Sequence, residues 1–370
     1  MKLTKINLLN FRNCSNISVS LGDKMNVFIG DNAQGKTNIL EAITMLALTK
    51  SHRVGVNPNI IMFNKKKAQI KGVVKKNRII SKLEVNITED GKKLKVNQTD
   101  VKKLADYISN LNVIVFTPDD LEIVKGSPNI RRNLLNIQLS QISKIYLNTY
   151  NEYNRLLKTR NEYLKILFSN NIADKSYLDI ITDRLIEKAI IIYQKRKEYI
   201  DLINQSIDKY YKEISDISNL RVSYVPNVDI FDYETENIRD LLKQKFKRNY
   251  NKELNYGMTM YGPHRDDFYF ELNGNDLKFF GSQGQQKLAV LAYKLSEIPI
   301  FTNYCETEPL LLLDDIFSEL DIKKRNRLLK FIGEGNIQSI ITTTDLKNVS
   351  KKYLNEAYIY EVKNGNVERK

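Results

Sequence analysis

Residues 25–37 read Met25-Asn26-Val27-Phe28-Ile29-Gly30-Asp31-Asn32-Ala33-Gln34-Gly35-Lys36-Thr37. The first part is a short strand. The last eight residues match G-x-x-x-x-G-K-[ST], and beyond them Ile39, Leu40, Ile43, Leu46 and Ala47 fall on one face of a helix. Strand, glycine-rich turn and helix in this order predict a P-loop. Its backbone N–H groups wrap phosphates and the helix dipole favours their charge. Gly30, Asp31, Asn32, Ala33, Gln34 and Gly35 are therefore expected around ATP or GTP. Lys36 is expected to reach the β- and γ-phosphates, and Thr37 to offer its hydroxyl to Mg²⁺.

A P-loop needs a metal-binding carboxylate on a neighbouring strand. Leu310-Leu311-Leu312-Leu313-Asp314-Asp315 is a continuous apolar run ending in two acids, which suits a central parallel strand covered on both faces. Asp314 is expected to hold Mg²⁺, and Asp315 to orient or deprotonate a water at the γ-phosphate. Between the two motifs lies Gly281-Ser282-Gln283-Gly284-Gln285-Gln286-Lys287, opening a helix. A second phosphate-binding helix start is superfluous in one subunit, so the pattern suggests ATP held between two.

Outward from these motifs, strands are predicted at 2–8, 15–20 and 25–30, with alternating β-branched runs from about 67 to 97 and a hairpin turn at Glu89-Asp90-Gly91. From 135 to 167, and again from 178 to 214, apolar residues recur every three or four positions, with Arg160 and Arg196 set into the series. The polar stretch 169–176 between them predicts an antiparallel helical hairpin. A charged helix is expected at 235–250. Strand and helix patterns then return: a strand at DFYFEL, helices from about 283 and at 322–333, and strands at SIITTT and AYIYEV.

The composition narrows the class. The chain has 370 residues, 42% of them hydrophobic, and a mean hydropathy of −0.41. That length fits two domains, or one with an inserted lobe. The apolar runs are too short to span a bilayer, and the N-terminus has no signal-peptide pattern. Cys14 and Cys305 make no disulfide framework, and His52 and His264 make no His-rich metal centre. A cytoplasmic protein with no membrane partner is expected. The net charge is +14, and residues 62–103 hold thirteen Lys and Arg against four acids. Such a surface attracts polyanions, although a solvated lysine face reads the same way. Lys65, Lys66, Lys67, Lys75 and Lys76 are the expected contacts where the polyanion is a nucleic acid.

The order of P-loop, SQGQQ, LLLLDD and Ser318-Glu319-Leu320-Asp321 resembles an ABC-type ATPase head. Three further blocks, NFRN at 10–13, FTPDDLEIVKGSPNIRR at 116–132 and YGPHRDD at 261–267, make the whole chain similar to the RecF family of bacterial recombination-repair ATPases. The resemblance implies an α/β fold: an ABC-type P-loop head over 1–125 and 255–370, with an antiparallel β subdomain and an inserted helical arm over 126–254. It implies an ATP-dependent homodimer in which Ser282, Gln283, Gly284 and Gln285 of one subunit cap the nucleotide held at Lys36 of the other. It also implies binding to DNA at gaps and single-strand/double-strand junctions, a weak DNA-stimulated ATPase, and cooperation with RecO and RecR in loading RecA.

Some residues depart from the wider pattern or have two readings. Asp315 stands where transporter ATPases carry Glu, and Thr344 where they carry a switch His, so slow turnover is expected. No glutamine is assigned to a Q-loop. Arg12 either lies on the base side of the nucleotide or is a surface arginine on a turn. Asp119 and Asp120 fit helix capping, Arg131 and Arg132 either phosphate contacts or a solvated helix start, and His264 a structural hydrogen bond. A transporter ATPase subunit shares the P-loop and signature but explains neither the helical insert nor the basic stretch. An SMC-type chromosome organiser needs hundreds of heptad residues that this chain lacks.

Overall fold

The computed structural model describes residues 1–51, 57–170, 175–346 and 356–370; His52 and most of the loop between the two predicted long helices lie outside them. The chain opens with β1 (Lys2–Phe11), β2 (Cys14–Ser20) and β3 (Met25–Ile29), then α1 (Lys36–Leu48), β4 (Lys67–Lys76), β5 (Ile79–Thr88), β6 (Gly91–Val96), β7 (Thr99–Asp100), α2 (Leu104–Ile108) and β8 (Val113–Phe116). A helical stretch follows: α3 (Glu122–Lys125), α4 (Pro128–Ile142), α5 (Lys144–Asn170), α6 (Ser176–Asn204) and α7 (Ile207–Ser215). Next come β9 (Leu220–Val225), α8 (Thr235–Tyr256), β10 (Asp267–Leu272), β11 (Asn275–Asp276), α9 (Leu277–Phe280) and α10 (Gln283–Cys305). The chain closes with β12 (Leu310–Asp314), α11 (Ile322–Glu334), β13 (Ser339–Thr343), β14 (Tyr358–Lys363) and β15 (Asn366–Arg369). No helix among the described residues is long and apolar enough to cross a membrane.

Two compact units result, one of residues 1–121, 209–218 and 287–370 and one of 122–208 and 219–286. The first holds two sheets. An antiparallel sheet has the order β2-β1-β4-β5-β6-β7; the other runs β15-β14-β3-β13-β12-β8, parallel except for β15. Both ends of the sequence thus share one sheet, as the paired motifs require. Helix α1 packs on both sheets, and residues 39–47 are buried all round rather than along one stripe. Leu3, Ile6 and Leu8 come from one sheet, Leu310, Leu312 and Ile340 from the other. At Gly72 of β4 a Cβ would stand 2.2 Å from Leu46 Cδ2, so the helix rests directly on the strand. Each fully buried Leu or Ile here contributes roughly 1.5–3 kcal/mol.

The second unit is mainly helical, but it is not the all-helical insert ending at 254 that periodicity suggests. Strand β9 lies inside it and pairs antiparallel with β10, Leu220 opposite Leu272 and Val225 opposite Asp267, so residues 255–286 belong with the helices. The single helices expected across 135–167 and 178–214 are each broken. Ser143 is extended (φ −140°, ψ 107°), and its Oγ accepts the Tyr146 N–H, which closes α4 and opens α5. At 205–206 the amides of Gln205 and Ser206 donate to the carbonyls of Leu202 and Ile203, a tightened turn ending α6. Apolar spacing runs through both breaks because the faces stay in register.

The two arginines within those series are anchors. Arg160 donates to Glu253 Oε2 (2.7 Å), Thr182 Oγ1 (2.9 Å) and Thr259 Oγ1 (2.8 Å). Arg196 donates to Asp266 Oδ2 (2.7 Å), the Pro263 carbonyl (2.6 Å) and Asn136 Oδ1 (2.9 Å). Both side chains are buried, so losing either acid would leave an unpaired interior charge and cost about 3–5 kcal/mol.

Candidate nucleotide-binding site

The loop between β3 and α1 is shaped by its backbone. Ala33 (φ 64°) and Gly35 (φ 108°) are left-handed, and Gly35 leads straight into the first turn of α1. Gly30 has no room for a side chain, since a Cβ would stand 2.4 Å from the Val362 carbonyl oxygen of β14. Asn32, Ala33, Gly35, Lys36, Thr37, Asn38, Asp314 and Asp315 line a polar cavity of about 270 Å³ at this point. The P-loop and the end of β12 are thus brought together as the sequence requires.

Within the cavity Lys36 Nζ donates to the carbonyls of Gly30 (2.6 Å) and Asp31 (2.8 Å). Burial pushes its pKa down, against the opposing pull of Asp315, Asp314 and Asp31. Thr37 Oγ1 donates to Asp314 Oδ1 at 3.0 Å. Thr342, at the end of the adjacent strand β13, donates to the same oxygen at 2.6 Å and accepts the Asp315 N–H at 3.0 Å. One hydroxyl therefore orients the Asp314 carboxylate and holds the backbone at Asp315. Asp315 itself is left-handed (φ 47°), which turns the chain sharply out of β12.

Gln34 faces the other way from the phosphate cavity. Its Oε1 accepts the Asn364 N–H (2.7 Å) and its carbonyl accepts the Gly365 N–H (2.9 Å), so the β14–β15 hairpin braces the P-loop from outside. Asn13 braces it from a second side, accepting from Asn38 Nδ2 at 2.8 Å.

The segment 282–285 lies in the other compact unit. Ser282 Oγ accepts the Gln285 N–H (3.2 Å) and Gln285 Oε1 accepts the Ser282 N–H (2.9 Å). This reciprocal cap opens α10. Ser282, Gln283 and Gly284 are exposed, and Gly284 leaves open space above the turn. A 23-residue helix thus has an exposed start, and the dipole at such a start favours negative charge.

Residues 2–368 match the family model of the RecF/RecN/SMC N-terminal domain. The DNA replication and repair protein RecF of Listeria welshimeri is 40% identical over the full length of both chains. The chain belongs to the RecF family. The RecF of Bacillus thuringiensis is 39% identical, over all of this chain and 98% of that one. Solved structures of the recombination mediator protein RecF in the RecFOR pathway, one with ATP and one with ATPrS, are 31% identical. They superpose with TM-scores of 0.92 and 0.91, covering all of this chain and 97% and 98% of theirs. An Smc head bound to part of ScpA shares the fold at 13% identity and a TM-score of 0.57, covering all of this chain and 97% of that one. The fold of this RecF-family chain is thus the ABC/SMC-type ATPase head that its motifs predict.

Other residues of the RecF-like blocks turn out differently. Arg12 donates to Glu41 of α1 through Nε (3.0 Å) and Nη2 (2.8 Å) and to the Asn59 carbonyl through Nη1 (2.5 Å). Its guanidinium is held by this ion pair and is not free on the surface. Arg131 is buried against Asp267, with Nε–Oδ1 at 2.6 Å, and Arg132 donates to the Asp266 carbonyl at 2.7 Å. Arg131 thus serves packing within this unit, while Arg132 is half-buried beside it. Asp120 accepts the Thr117 N–H at 2.7 Å and pairs with the buried Lys294 of α10. His264 has the structural role expected: Nε2 donates to the Thr259 carbonyl and Nδ1 accepts the Tyr153 hydroxyl at 2.7 Å.

The basic residues lie on the antiparallel sheet. Lys65, Lys66, Lys67 and Lys75 are exposed and Lys76 is half-buried. Alternation along β4 puts Lys67, Lys71 and Lys75 on its outer face, and strand register adds Lys82, Lys93 and Lys95 beside them. Two acids are set among them: Glu84, 3.7 Å from Lys71 and held by Gln69 and Asn86, and Asp100 of β7, 3.7 Å from Lys95. Thr342, Asn13 and Asn364 were not singled out by sequence pattern. A hydroxyl one residue inside a strand end and an Asn-Gly turn are too common to signal a site by themselves.

Proposed function

We propose that this RecF-family protein is an ATP-driven DNA-binding switch in recombinational repair and replication-fork maintenance. The observation that carries it is the split of the phosphate machinery. The P-loop and two carboxylates form one half, and an exposed, capped helix start on the other compact unit forms the second. Two subunits related by symmetry would each close the other's site, so ATP favours the dimer by binding it better than the monomer. Lys36 meets the β- and γ-phosphates, and Ser282, Gln283, Gly284 and Gln285 of the partner copy cap the γ-phosphate.

Mg²⁺ suits the residues present. It takes hard oxygen ligands, keeps several waters and needs only one or two carboxylates beside phosphate oxygens. Thr37 Oγ1 and Asp314 Oδ1, 3.0 Å apart, are such a pair. When bound, the ion neutralises charge on the β- and γ-phosphates. Asp315 then orients a water for attack on the γ-phosphate. Its side chain is one methylene shorter than Glu, and Thr344 at the next strand end brings no imidazole. Both favour a weak ATPase, stimulated by DNA, that keeps the closed state long-lived.

The lysine-bearing face of the antiparallel sheet is the DNA surface. Strand β4 alone spans about 30 Å, long enough to follow most of a duplex turn. The RecFOR setting of the solved relatives supports RecO and RecR as partners in RecA loading at gaps. The test is the salt dependence of DNA binding with ATP present. Lys67→Glu with Lys75→Glu should weaken binding and flatten the slope of log K against log salt by about two, with ATP affinity unchanged. If affinity and slope stay as in wild type, this face does not hold DNA.

A further inference from the structure

β4 and β5 are joined by the two-residue turn Asn77-Arg78, with Lys76 opposite Ile79 and Lys75 opposite Ile80. The pairing of β5 with β6 stops at Leu83, so the stretch 79–81 runs past its neighbour. Ile79 is 69% exposed and Ile80 62%. Successive strand residues point to opposite faces, so the hairpin end is bare and apolar on both sides. Edge hairpins normally carry charge or proline at such positions.

The surroundings say what this apolar end meets. Lys75, Lys76, Arg78 and Lys82 flank the two isoleucines, and the first acid along the hairpin is Glu84, already engaged by Lys71, Gln69 and Asn86. A partner that offers apolar surface inside a frame of negative charge is a nucleic acid whose base face is uncovered. Intact duplex hides those faces by stacking. A duplex end or a single-strand/double-strand junction shows one.

We propose that the β4–β5 hairpin tip is a wedge that caps or unstacks the terminal base pair at such a junction, with the flanking cations on adjacent phosphates. Apolar side chains placed at base steps act in this way in other DNA-binding proteins. The inference rests on the DNA-binding reading above and deepens it. The sheet face supplies affinity without regard to DNA form, and the two isoleucines supply the preference for a junction.

The experiment compares the full chain with ATP on two DNAs: a primer–template junction carrying 2-aminopurine at the terminal pair, and a closed dumbbell duplex that has no ends. Ile79→Thr with Ile80→Thr keeps β-branching, so the hairpin still forms. Wild type should favour the junction and raise 2-aminopurine fluorescence. The double variant should lose about fivefold or more at the junction, lose the fluorescence rise, and stay within about twofold of wild type on the dumbbell. Equal loss on both DNAs, no loss on either, or a wild type without junction preference each overturns the wedge; no loss would point to a protein partner for the isoleucines. Wild type that binds neither DNA would instead overturn the DNA-binding reading itself.

Discussion

The Thr342 hydroxyl ties the two acids at the end of β12 together, donating to the Asp314 carboxylate at 2.6 Å and accepting the backbone N–H of Asp315 at 3.0 Å. Thr342→Val keeps the shape and β-branching but removes both bonds. A hydrogen bond to a charged group contributes about 1.5–3 kcal/mol. The variant should therefore bind Mg²⁺·ATP about tenfold more weakly, while binding in the presence of a chelator changes little, as read by titration with a fluorescent ATP analogue. Equal affinity with Mg²⁺ would mean that Asp314 needs no orienting partner. At this scale the sequence was informative where chemistry demands a residue type at a fixed spacing, as for Gly30, Gly35, Lys36, Thr37 and Asp314. It was silent on Thr342 and Asn13, because a buttress is defined by a contact between distant segments. It left two readings open for Arg131, because an arginine buried in an ion pair and one facing a phosphate look alike in sequence.

Among the elements, the loop 261–267 fixes the helices of the second unit through Arg196, Asp266 and His264. Burial holds the His264 pKa down at about 4, well below the 6.5 of an exposed imidazole. The folded state thus prefers the neutral ring. Above pH 6.5 the ring is neutral in both states and the contribution is intact; as pH falls towards 4, the unfolded chain gains the proton first and stability drops. The full effect is about 3 kcal/mol. Asp266 shifts upward by burial and opposes this trend, but it does so equally in a variant that retains it. Urea melts should show wild type losing more stability than His264→Gln between pH 7 and pH 4.5. Parallel losses would show that the ring is accessible when folded. The strands that periodicity predicted stand where expected, as do most of the predicted helices, but β8, β9 and β15 were not foreseen. Periodicity failed at Ser143 and at 205–206, where a break in the backbone leaves the apolar faces aligned. It also could not reveal that α1 is buried between two sheets.

For the molecule as a whole, the proposed dimer rests on the division into a P-loop half and a signature half. The fold class was legible because both ends of the chain carry motifs that must meet at one sheet. The limit of the arm was not, since β9 and β10 pair across a 41-residue separation that no local pattern encodes. The shared-nucleotide dimer is the central claim, and its most direct test is mass in solution with and without ATP and Mg²⁺. Wild type, Lys36→Ala and Ser282→Arg would be compared, alone and with gapped DNA. The account predicts a wild-type dimer that requires ATP, and monomers for both variants although Ser282→Arg still binds nucleotide. A wild type that stays monomeric under every condition, or a Ser282→Arg variant that dimerises as well as wild type, would contradict it.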